Sequence, residues 1–255
     1  YEMRQGEIRD KKLKEFEDSL RIFISTAKSY HIEVQALGGN QEWARQENHE
    51  LPLALLDFVI YFNKRHDENE IFSGIQFDIE PYNLPDFSKN QVKIMKNYLG
   101  LIENITAHYQ AKQEKNNLLI GFTIPYWLDN ESNNLINFSW KDKEVKPVAY
   151  YILDILNKQT NTYVVILAYR NFSDGVDGSI LHSKNEMNYA EKFARNVSIV
   201  IGQETTANKI KKITFNETSK ENLRNEISKI VNAFKSEGVF KGIAIHHLLS
   251  FKNLP

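Results

Sequence analysis

The sequence predicts an α/β fold in which parallel strands alternate with helices, and three observations support this prediction. Short runs rich in β-branched and aromatic residues recur along the 255 residues. Segments with apolar residues at spacings of three and four lie between them, as in amphipathic helices. Polar side chains collect at the ends of the strand-like runs. Strands joined by helices form parallel sheets, so the candidates are an open doubly wound sheet and a (β/α) barrel.

Six helix–strand units follow one another along the chain. In the first, Leu13, Phe16, Leu20 and Phe23 form one apolar helical stripe before the strand IEVQALGG. The later helices are predicted at LPLALLDFVIYF, 92–102, VAYYILDIL, MNYAEKFA and 223–234. The strands that follow them are GIQFDIEP, NLLIGFTIPYW, TYVVILAYR, VSIVIGQET and GIAIHHLL, with a short extra strand, KITF, before the last unit. Because no linker or shift in composition divides the chain, residues 1–255 are predicted to form a single domain.

The composition excludes several classes of function. The formal net charge is -1 and no long Lys/Arg cluster is present, so no nucleic acid partner is expected. No apolar run reaches the roughly eighteen residues of a membrane span, so no membrane association is predicted. The absence of cysteine excludes disulfides and thiolate chemistry. The glycine-rich phosphate-binding patterns are missing too, and no cofactor is predicted.

The ends of the strands favour a barrel over an open sheet. In a (β/α) barrel the carboxyl ends of the strands converge on one mouth, where active sites of this fold are built. Polar or aromatic residues stand at or just past the strand ends: Gln35, Asp78, Glu80, Tyr126, Trp127, Tyr169, Arg170, Gln203, Glu204, His246 and His247. The sequence therefore predicts a barrel with a single polar site.

The segment FSGIQFDIEPY places two carboxylates in an apolar strand. Residues two apart on a strand share a face, so Asp78 and Glu80 point the same way, with Gln76 behind them. Two neighbouring carboxyls rarely ionise together, and Glu80, nearer the mouth, is the predicted proton donor. The alternative is that both carboxylates are structural struts, salt-bridged to Arg170 or to lysines.

The same segment resembles a known family. FSGIQFDIE is similar to the fourth-strand signature of family 18 glycoside hydrolases, the chitinase-like barrels, which reads roughly D-G-x-D-x-D-x-E. The matching positions are Gly74, Ile75, Phe77, Asp78 and Glu80. Ser73 and Gln76 stand where that family has its first two Asp residues. The resemblance implies a (β/α)8 TIM-type barrel that cleaves an oligo- or polysaccharide.

The resemblance continues in two later strands. LAYR is similar to the family's M-x-Y-D motif, with Tyr169 matching the Tyr and Arg170 in place of the Asp. GIAIH is similar to the family's G-x-M-x-W motif, with His246 in place of the Trp. The resemblance implies a substrate-assisted route for 2-acetamido sugars. In that route Asp78 orients the acetamido group, Glu80 protonates the leaving oxygen, and Tyr169 donates to the developing oxazoline.

Counting strands from this signature exposes a gap. If GIQFDIEP is the fourth strand, IEVQALGG is the third, and only residues 1–12 are left for the first two. The chain is therefore predicted to be the C-terminal three quarters of a longer barrel that lacks its first one or two strands here, or a barrel closed in an unusual way. A different strand count is the remaining alternative.

A second glycosidase mechanism stays open. Many barrel hydrolases place an acid at the end of strand four and a nucleophile at the end of strand seven, and Glu80 and Glu204 occupy those places. Carboxyl groups about 5 to 5.5 Å apart suit retention, and about 6.5 to 9.5 Å suits inversion. Alternatively, Glu204 only caps a helix or pairs with a lysine. The predicted substrate-binding residues are Gln35, Trp43, Gln76, Tyr82, Tyr126, Trp127, Arg170 and His246, of which the aromatic ones either stack on sugars or pack the rim.

Two other classes of function stay open as well. Asp78, Glu80, Glu204 and His246 together would make an oxygen-and-imidazole set for a divalent metal, as in barrel phosphodiesterases. Against that class, the motifs H-x-H and H-E-x-x-H are missing. The other class is a catalytically silent barrel that binds a glycan, which the altered positions would fit and the retained Glu80 argues against.

Overall fold

The computed structural model describes residues 2–112, 117–133, 135–141 and 143–255, with side chains described from Lys11 onwards. The strands are β1 (Gln35–Gly38), β2 (Gly74–Phe77), β3 (Leu119–Pro125), β4 (Asn137–Phe138), β5 (Lys146–Pro147), β6 (Thr162–Leu167), β7 (Val197–Glu204) and β8 (Phe240–His246). The α-helices are α1 (Glu2–Ser29), α2 (Glu50–Arg65), α3 (Phe87–Ala111), α4 (Val148–Leu156), α5 (Leu181–Phe193), α6 (Lys220–Phe234) and α7 (Leu248–Lys252). None of the helices in these ranges is long and apolar enough to cross a membrane.

Six of the strands form one parallel sheet in the order β1-β2-β3-β6-β7-β8, and β4 pairs with β5 in a separate antiparallel hairpin. The parallel sheet is curled into part of a barrel. Spatial order follows chain order, as successive β/α units require. The structure therefore confirms the predicted fold class, as a partial TIM-type (β/α) barrel, and the six predicted main strands.

The predicted strand KITF is wrong. Lys211–Ile213 forms a short 3-10 helix instead, and the chain then folds back over the end of β7. Phe215 is fully buried and donates its amide N–H to the carbonyl of Glu204 at 2.8 Å. The apolar alternation of Ile213 and Phe215 therefore reflects packing of a loop, which sequence periodicity does not distinguish from a strand.

The two faces of the sheet differ in chemistry. Alternate strand residues point outward and bury apolar side chains beneath the helices; they include Ile75, Phe77, Ile120, Phe122, Val164, Ile166, Ile199 and Ile201. The other set points inward. Near the amino ends of the strands, the Tyr163 hydroxyl contacts the side-chain oxygens of Gln35 at 2.5 Å and Gln76 at 3.2 Å. The outward face thus supplies most of the core, and the inward face carries the polar groups.

The inner face is open along one side. β1 and β8 are the two edges of the sheet and do not pair with each other in the described part of the chain. Leu37 on β1 remains 67% exposed. A cavity of about 490 Å³ lies between the edges, lined by apolar groups such as Leu37, Val165 and Val200. An apolar interior that would be filled in a closed barrel is therefore accessible here.

The first helix is confirmed, but its predicted apolar stripe is packed only in part. Leu13, Phe16 and Phe23 are 49%, 53% and 62% exposed, whereas Ile24 is fully buried. Glu17, also buried, pairs with Arg65 of α2 at 3.1 Å. Within the predicted stripe, Leu20 packs against the core and the ring of Phe16 lies 6.4 Å from that of Phe58, so the stripe is only partly covered.

A carboxyl group of α5 is buried without a partner. Glu186 is fully buried, and neither carboxyl oxygen has a hydrogen-bond partner among the described residues. Burial raises the pKa of Glu186 well above its usual range, and the nearby charge of Asp129 raises it further. The folded protein therefore favours the neutral form of Glu186 to higher pH than the unfolded chain does.

We expect Glu186→Gln to stabilise the protein progressively more as pH rises. In the unfolded chain Glu186 ionises near pH 4.3, roughly, whereas the folded chain releases the proton only at higher pH, so the free energy of unfolding falls as pH rises above that value. Gln does not ionise, so the Glu186→Gln variant lacks this pH-dependent loss of stability. Urea unfolding at about pH 5 and about pH 8 measures the difference from the native chain. The exposed Glu221→Gln is the control, and a difference that does not grow with pH would contradict the prediction.

Candidate functional site

A cleft of about 430 Å³ lies at the carboxyl ends of the parallel strands. Its polar walls are formed by Gln76, Asp78, Glu80, Thr123, Tyr169, Glu204, His246 and His247. These residues come from β2, β3, β6, β7 and β8 or from the turns that follow them. The structure thus brings together in a single cleft all four predicted catalytic residues and two of the predicted substrate-binding residues, Gln76 and His246.

Asp78 directly follows β2 and is fixed by the strands on both sides. Its backbone N–H donates to the carbonyl of Gly38 on β1 at 2.9 Å. On the other side, the hydroxyl of Thr123 on β3 donates to Asp78 Oδ1. Because neighbouring strands hold both its backbone and its carboxylate, Asp78 has a defined orientation in the cleft.

Glu80 is held by the turn that it begins. The Tyr82 hydroxyl donates to Oε1 of Glu80, and Asn83 Nδ2 donates to Oε2 at 2.8 Å. Burial raises the pKa of Tyr82, and its hydrogen bond to the Glu80 carboxylate raises it further, so Tyr82 remains a donor. Both oxygens of the predicted proton donor are therefore already hydrogen-bonded within residues 80–83.

Two tyrosines lie within electrostatic reach of these carboxylates. Burial raises the pKa of Tyr169, and the charges of Glu204, Asp78 and Glu80 add to the effect. Burial also raises the pKa of Tyr98 on α3, again with help from Asp78 and Glu80. Both hydroxyls therefore stay protonated at neutral pH and can act as donors.

Glu204 and His246 form a hydrogen-bonded pair. They end β7 and β8 and lie opposite each other in the register of the two strands. His246 Nδ1 is 3.0 Å from Oε2 and 3.2 Å from Oε1 of Glu204. Thr206 donates its backbone N–H to Oε1 at 2.6 Å. The partner of Glu204 is thus a histidine and a backbone amide rather than the lysine considered from the sequence.

Three predicted aromatic residues lie beside the cleft. Tyr126 and Trp127 follow β3 and line a neighbouring cavity of about 350 Å³, together with Asp129, Glu131 and His182. The ring of Tyr82 meets that of Trp127 edge-on, with centroids 5.4 Å apart. Since Tyr82 also contacts Glu80, it connects the second cavity to the cleft.

Arg170, although predicted for substrate binding, lies outside the lining of the cleft. It is 6% exposed and pairs with Asp177 at 2.6 Å, while its Nη2 also donates to the Tyr126 hydroxyl at 3.1 Å. The bond from Arg170, with others from Lys212 and His182, holds the pKa of Asp177 well below its usual range. Arg170 is therefore not the salt-bridge partner of Asp78 or Glu80.

Two further predicted residues do not reach the cleft. Gln35 contacts Tyr163 in the cavity nearer the amino ends of the strands. Trp43 lies in the 3-10 helix Gln41–Ala44, where it packs, partly buried, against the hydrophobic core. The indole of Trp43 was expected either to stack on a sugar or to pack the rim, and in the structure it packs.

Thr123 is a site residue that the sequence does not single out, whereas Tyr98 is buried outside the lining of the cleft. Thr123 alternates with the buried Phe122 and Ile124, so its place on the inner face follows from strand alternation. Tyr98 lies among buried apolar residues of α3, where the sequence shows only a helical core position. Within the described ranges, no group of three or more His, Asp or Glu residues has the geometry to hold a metal ion.

The strand order and the polar cleft together define a partial TIM-type (β/α) barrel with its site at the mouth. The fold is similar to that of a GH18 chitinase from Pseudoalteromonas aurantia, with 13% identity, 87% of this chain and 74% of that chain covered, and a TM-score of 0.50. This likeness confirms the predicted resemblance at the level of the fold.

Two other solved structures are also similar in fold, both with lower TM-scores. The xylanase and alpha-amylase inhibitor protein XAIP-II from Scadoxus multiflorus shares 10% identity, with 89% of this chain and 73% of that chain covered and a TM-score of 0.46. The PgaB (BpsB) glycoside hydrolase domain from Bordetella bronchiseptica shares 10% sequence identity. The match covers 84% of this chain and 60% of that chain, with a TM-score of 0.43. No protein-family model and no curated protein matches the chain.

Proposed function

We propose that the protein is a glycoside hydrolase that cleaves an oligo- or polysaccharide, with Glu80 as the proton donor. The observation that supports this proposal is the convergence of Asp78, Glu80, Tyr169 and Glu204 on one cleft. Glycosidic cleavage needs an acid for the leaving oxygen and a second group that stabilises or attacks the anomeric carbon or activates water. The cleft supplies candidates for both roles.

The fixed position of Asp78 supports 2-acetamido sugars as a substrate class. The Thr123 hydroxyl holds its carboxylate and the Gly38 carbonyl of β1 holds its backbone N–H, so Asp78 is placed to orient an acetamido N–H. Tyr169, protonated and surrounded by the carboxylates, would donate to the acetamido oxygen. The cavity beside Trp127 would bind a further sugar unit through stacking on the indole.

The proposal includes a longer barrel. The sheet edges β1 and β8 are unpaired in the described residues, and Leu37 is exposed between them. Two further β/α units ahead of residue 1 would pair with both edges and cover this apolar face. Hydrogen exchange at the β1 and β8 amides should then be slower in a chain that carries such units than in residues 1–255 alone.

A glycan-binding barrel without turnover is the second candidate. The hydrogen bonds from Tyr82 and Asn83 occupy both oxygens of Glu80, and this arrangement favours a structural carboxylate. Catalysis would require one of these two bonds to give way to the substrate. The contrast between binding and turnover therefore separates the two candidates.

The test is a screen of the purified protein against aryl glycosides and oligosaccharides with and without 2-acetamido groups. We expect turnover that persists in EDTA and is lost in Glu80→Gln. Calorimetric binding of an oligosaccharide without turnover would support the second candidate. Turnover that disappears in EDTA and returns with a divalent cation would contradict both candidates, and the surface variant Glu221→Gln controls for substitution as such.

A further inference from the structure

The Glu204–His246 pair presents one free ring nitrogen to the cleft. Nδ1 of His246 faces the Glu204 carboxylate at 3.0 and 3.2 Å. An ionised carboxylate only accepts hydrogen bonds, so the imidazole tautomer with its hydrogen on Nδ1 matches this contact. Nε2 then carries a lone pair. Among the residues that the structure describes, none forms a hydrogen bond with Nε2 of His246.

The two partners differ sharply in exposure. The Glu204 side chain is 9% exposed, and the Thr206 amide fixes one of its oxygens. The His246 side chain is 56% exposed and lines the cleft. A buried carboxylate that orients an exposed imidazole is the arrangement by which proteins prepare a histidine for proton transfer.

The adjacent His247 serves a different purpose. Its Nδ1 accepts the backbone N–H of Ser250 at 3.1 Å and caps the start of α7. Nδ1 of His247 is thus committed to the helix start and no carboxylate in the described part of the chain orients its ring, whereas the Glu204 carboxylate orients the ring of His246.

The pair stands on the far side of the mouth from Glu80. Asp78 and Glu80 follow β2, near one edge of the sheet, while Glu204 and His246 end β7 and β8 at the other. The curl of the sheet turns both groups toward the same cleft. A glycosidic bond in the cleft would therefore have a carboxyl group on one side and an imidazole on the other.

We propose that His246 is the general base that activates water in this cleft, and that Glu204 is its positioning residue. The proposal rests on the proposed function of Glu80 as proton donor. Nε2 takes a proton from water as the water oxygen bonds to the anomeric carbon. The bond from that carbon to the leaving oxygen breaks, and the leaving oxygen takes the proton of Glu80. Proton exchange with solvent restores both groups.

This step fixes the stereochemical outcome. Water attacks from the face opposite the leaving group, so the configuration at the anomeric carbon is inverted. The substrate-assisted route and the route with Glu204 as nucleophile both retain it. The anomer formed by the native protein therefore separates the proposal from both alternatives without any substitution.

The experiment follows product configuration by NMR and compares three variants on the best substrate of the screen. We expect an inverted first product. In His246→Ala, kcat should fall about 10²- to 10³-fold with KM changed less than about threefold, and added imidazole should restore part of the loss. Glu204→Gln should also lower kcat. His108→Ala, which removes another carboxylate-paired histidine, 2.8 Å from Asp57, should leave kcat unchanged.

Each outcome bears on one proposal or on both. Retention of configuration, native kcat in His246→Ala, or a loss that imidazole does not repair would overturn the role of His246 and leave Glu80 untouched. Absence of turnover by the native protein on every sugar would overturn the hydrolase proposal and the role of His246 with it. If His246→Ala does not fold, the configuration of the product made by the native protein still tests the role of His246.

Discussion

Glu80→Gln is expected to lower the hydrolysis of an unactivated glycoside by about 10³- to 10⁴-fold. Gln has nearly the same shape as Glu and keeps an oxygen that can accept from Tyr82 or Asn83, so the turn at residues 80–83 should persist. It lacks the acidic proton that the leaving oxygen needs. The loss should therefore appear in kcat and not in the free energy of unfolding.

The leaving group shows whether the lost function is proton donation. A dinitrophenolate departs without protonation, so Glu80→Gln should hydrolyse a dinitrophenyl glycoside with a far smaller loss than an alkyl glycoside. Tyr82→Phe, which removes one hydrogen bond to Glu80 and keeps the proton donor, is the matched comparison and should lose much less activity. Equal losses on both leaving groups would show that Glu80 has another role.

Gly39→Ala is expected to destabilise the protein by more than about 3 kcal/mol, beyond the usual range for overpacking. A Cβ at Gly39 would lie 1.9 Å from the carbonyl oxygen of Asp78 and 2.6 Å from its carbonyl carbon. These are backbone atoms, so no side-chain rotation relieves the clash. The turn after β1 would have to separate from the end of β2, and Asp78 would move with it.

Urea denaturation of the native chain, Gly39→Ala and Gly100→Ala checks this expectation. Gly100 lies in α3, and a Cβ there meets nothing within 4 Å. Gly100→Ala should therefore stabilise the protein by about 0.5–1 kcal/mol, because alanine is the better helix former. Native-like stability in Gly39→Ala would show that the two turns can separate at little cost.

The sequence was informative wherever a local pattern determined the structure. Strands such as TYVVILAYR are nearly continuous apolar runs, typical of parallel sheets buried on both faces, and the helices between them carry clear periodicity. Asp78 and Glu80 stood out because charged residues rarely occur in such a run. The KITF segment is the exception, because a buried loop can alternate apolar and polar residues as a strand does.

The interactions that fix the candidate site could not be predicted from the sequence, because they depend on the register between neighbouring strands. Glu204 and His246 are 42 residues apart, and only the pairing of β7 with β8 sets them opposite each other. Thr123 reaches Asp78 for the same reason, across β2 and β3. Arg170 looked available at a strand end, yet Asp177, in the loop that follows, binds it. Strand pairing and loop conformation are tertiary properties that residue spacing does not encode.

The concentration of carboxylates in the cleft also bears on selectivity. Asp78, Glu80 and Glu204 all line it, and no lysine or arginine contributes to the described lining. A uronic acid or a sulfated sugar would bring a further negative charge into a confined space where screening by salt is weak. Polyanionic glycans should therefore be repelled before any contact forms, so that neutral and amino-bearing chains enter first when both kinds are present.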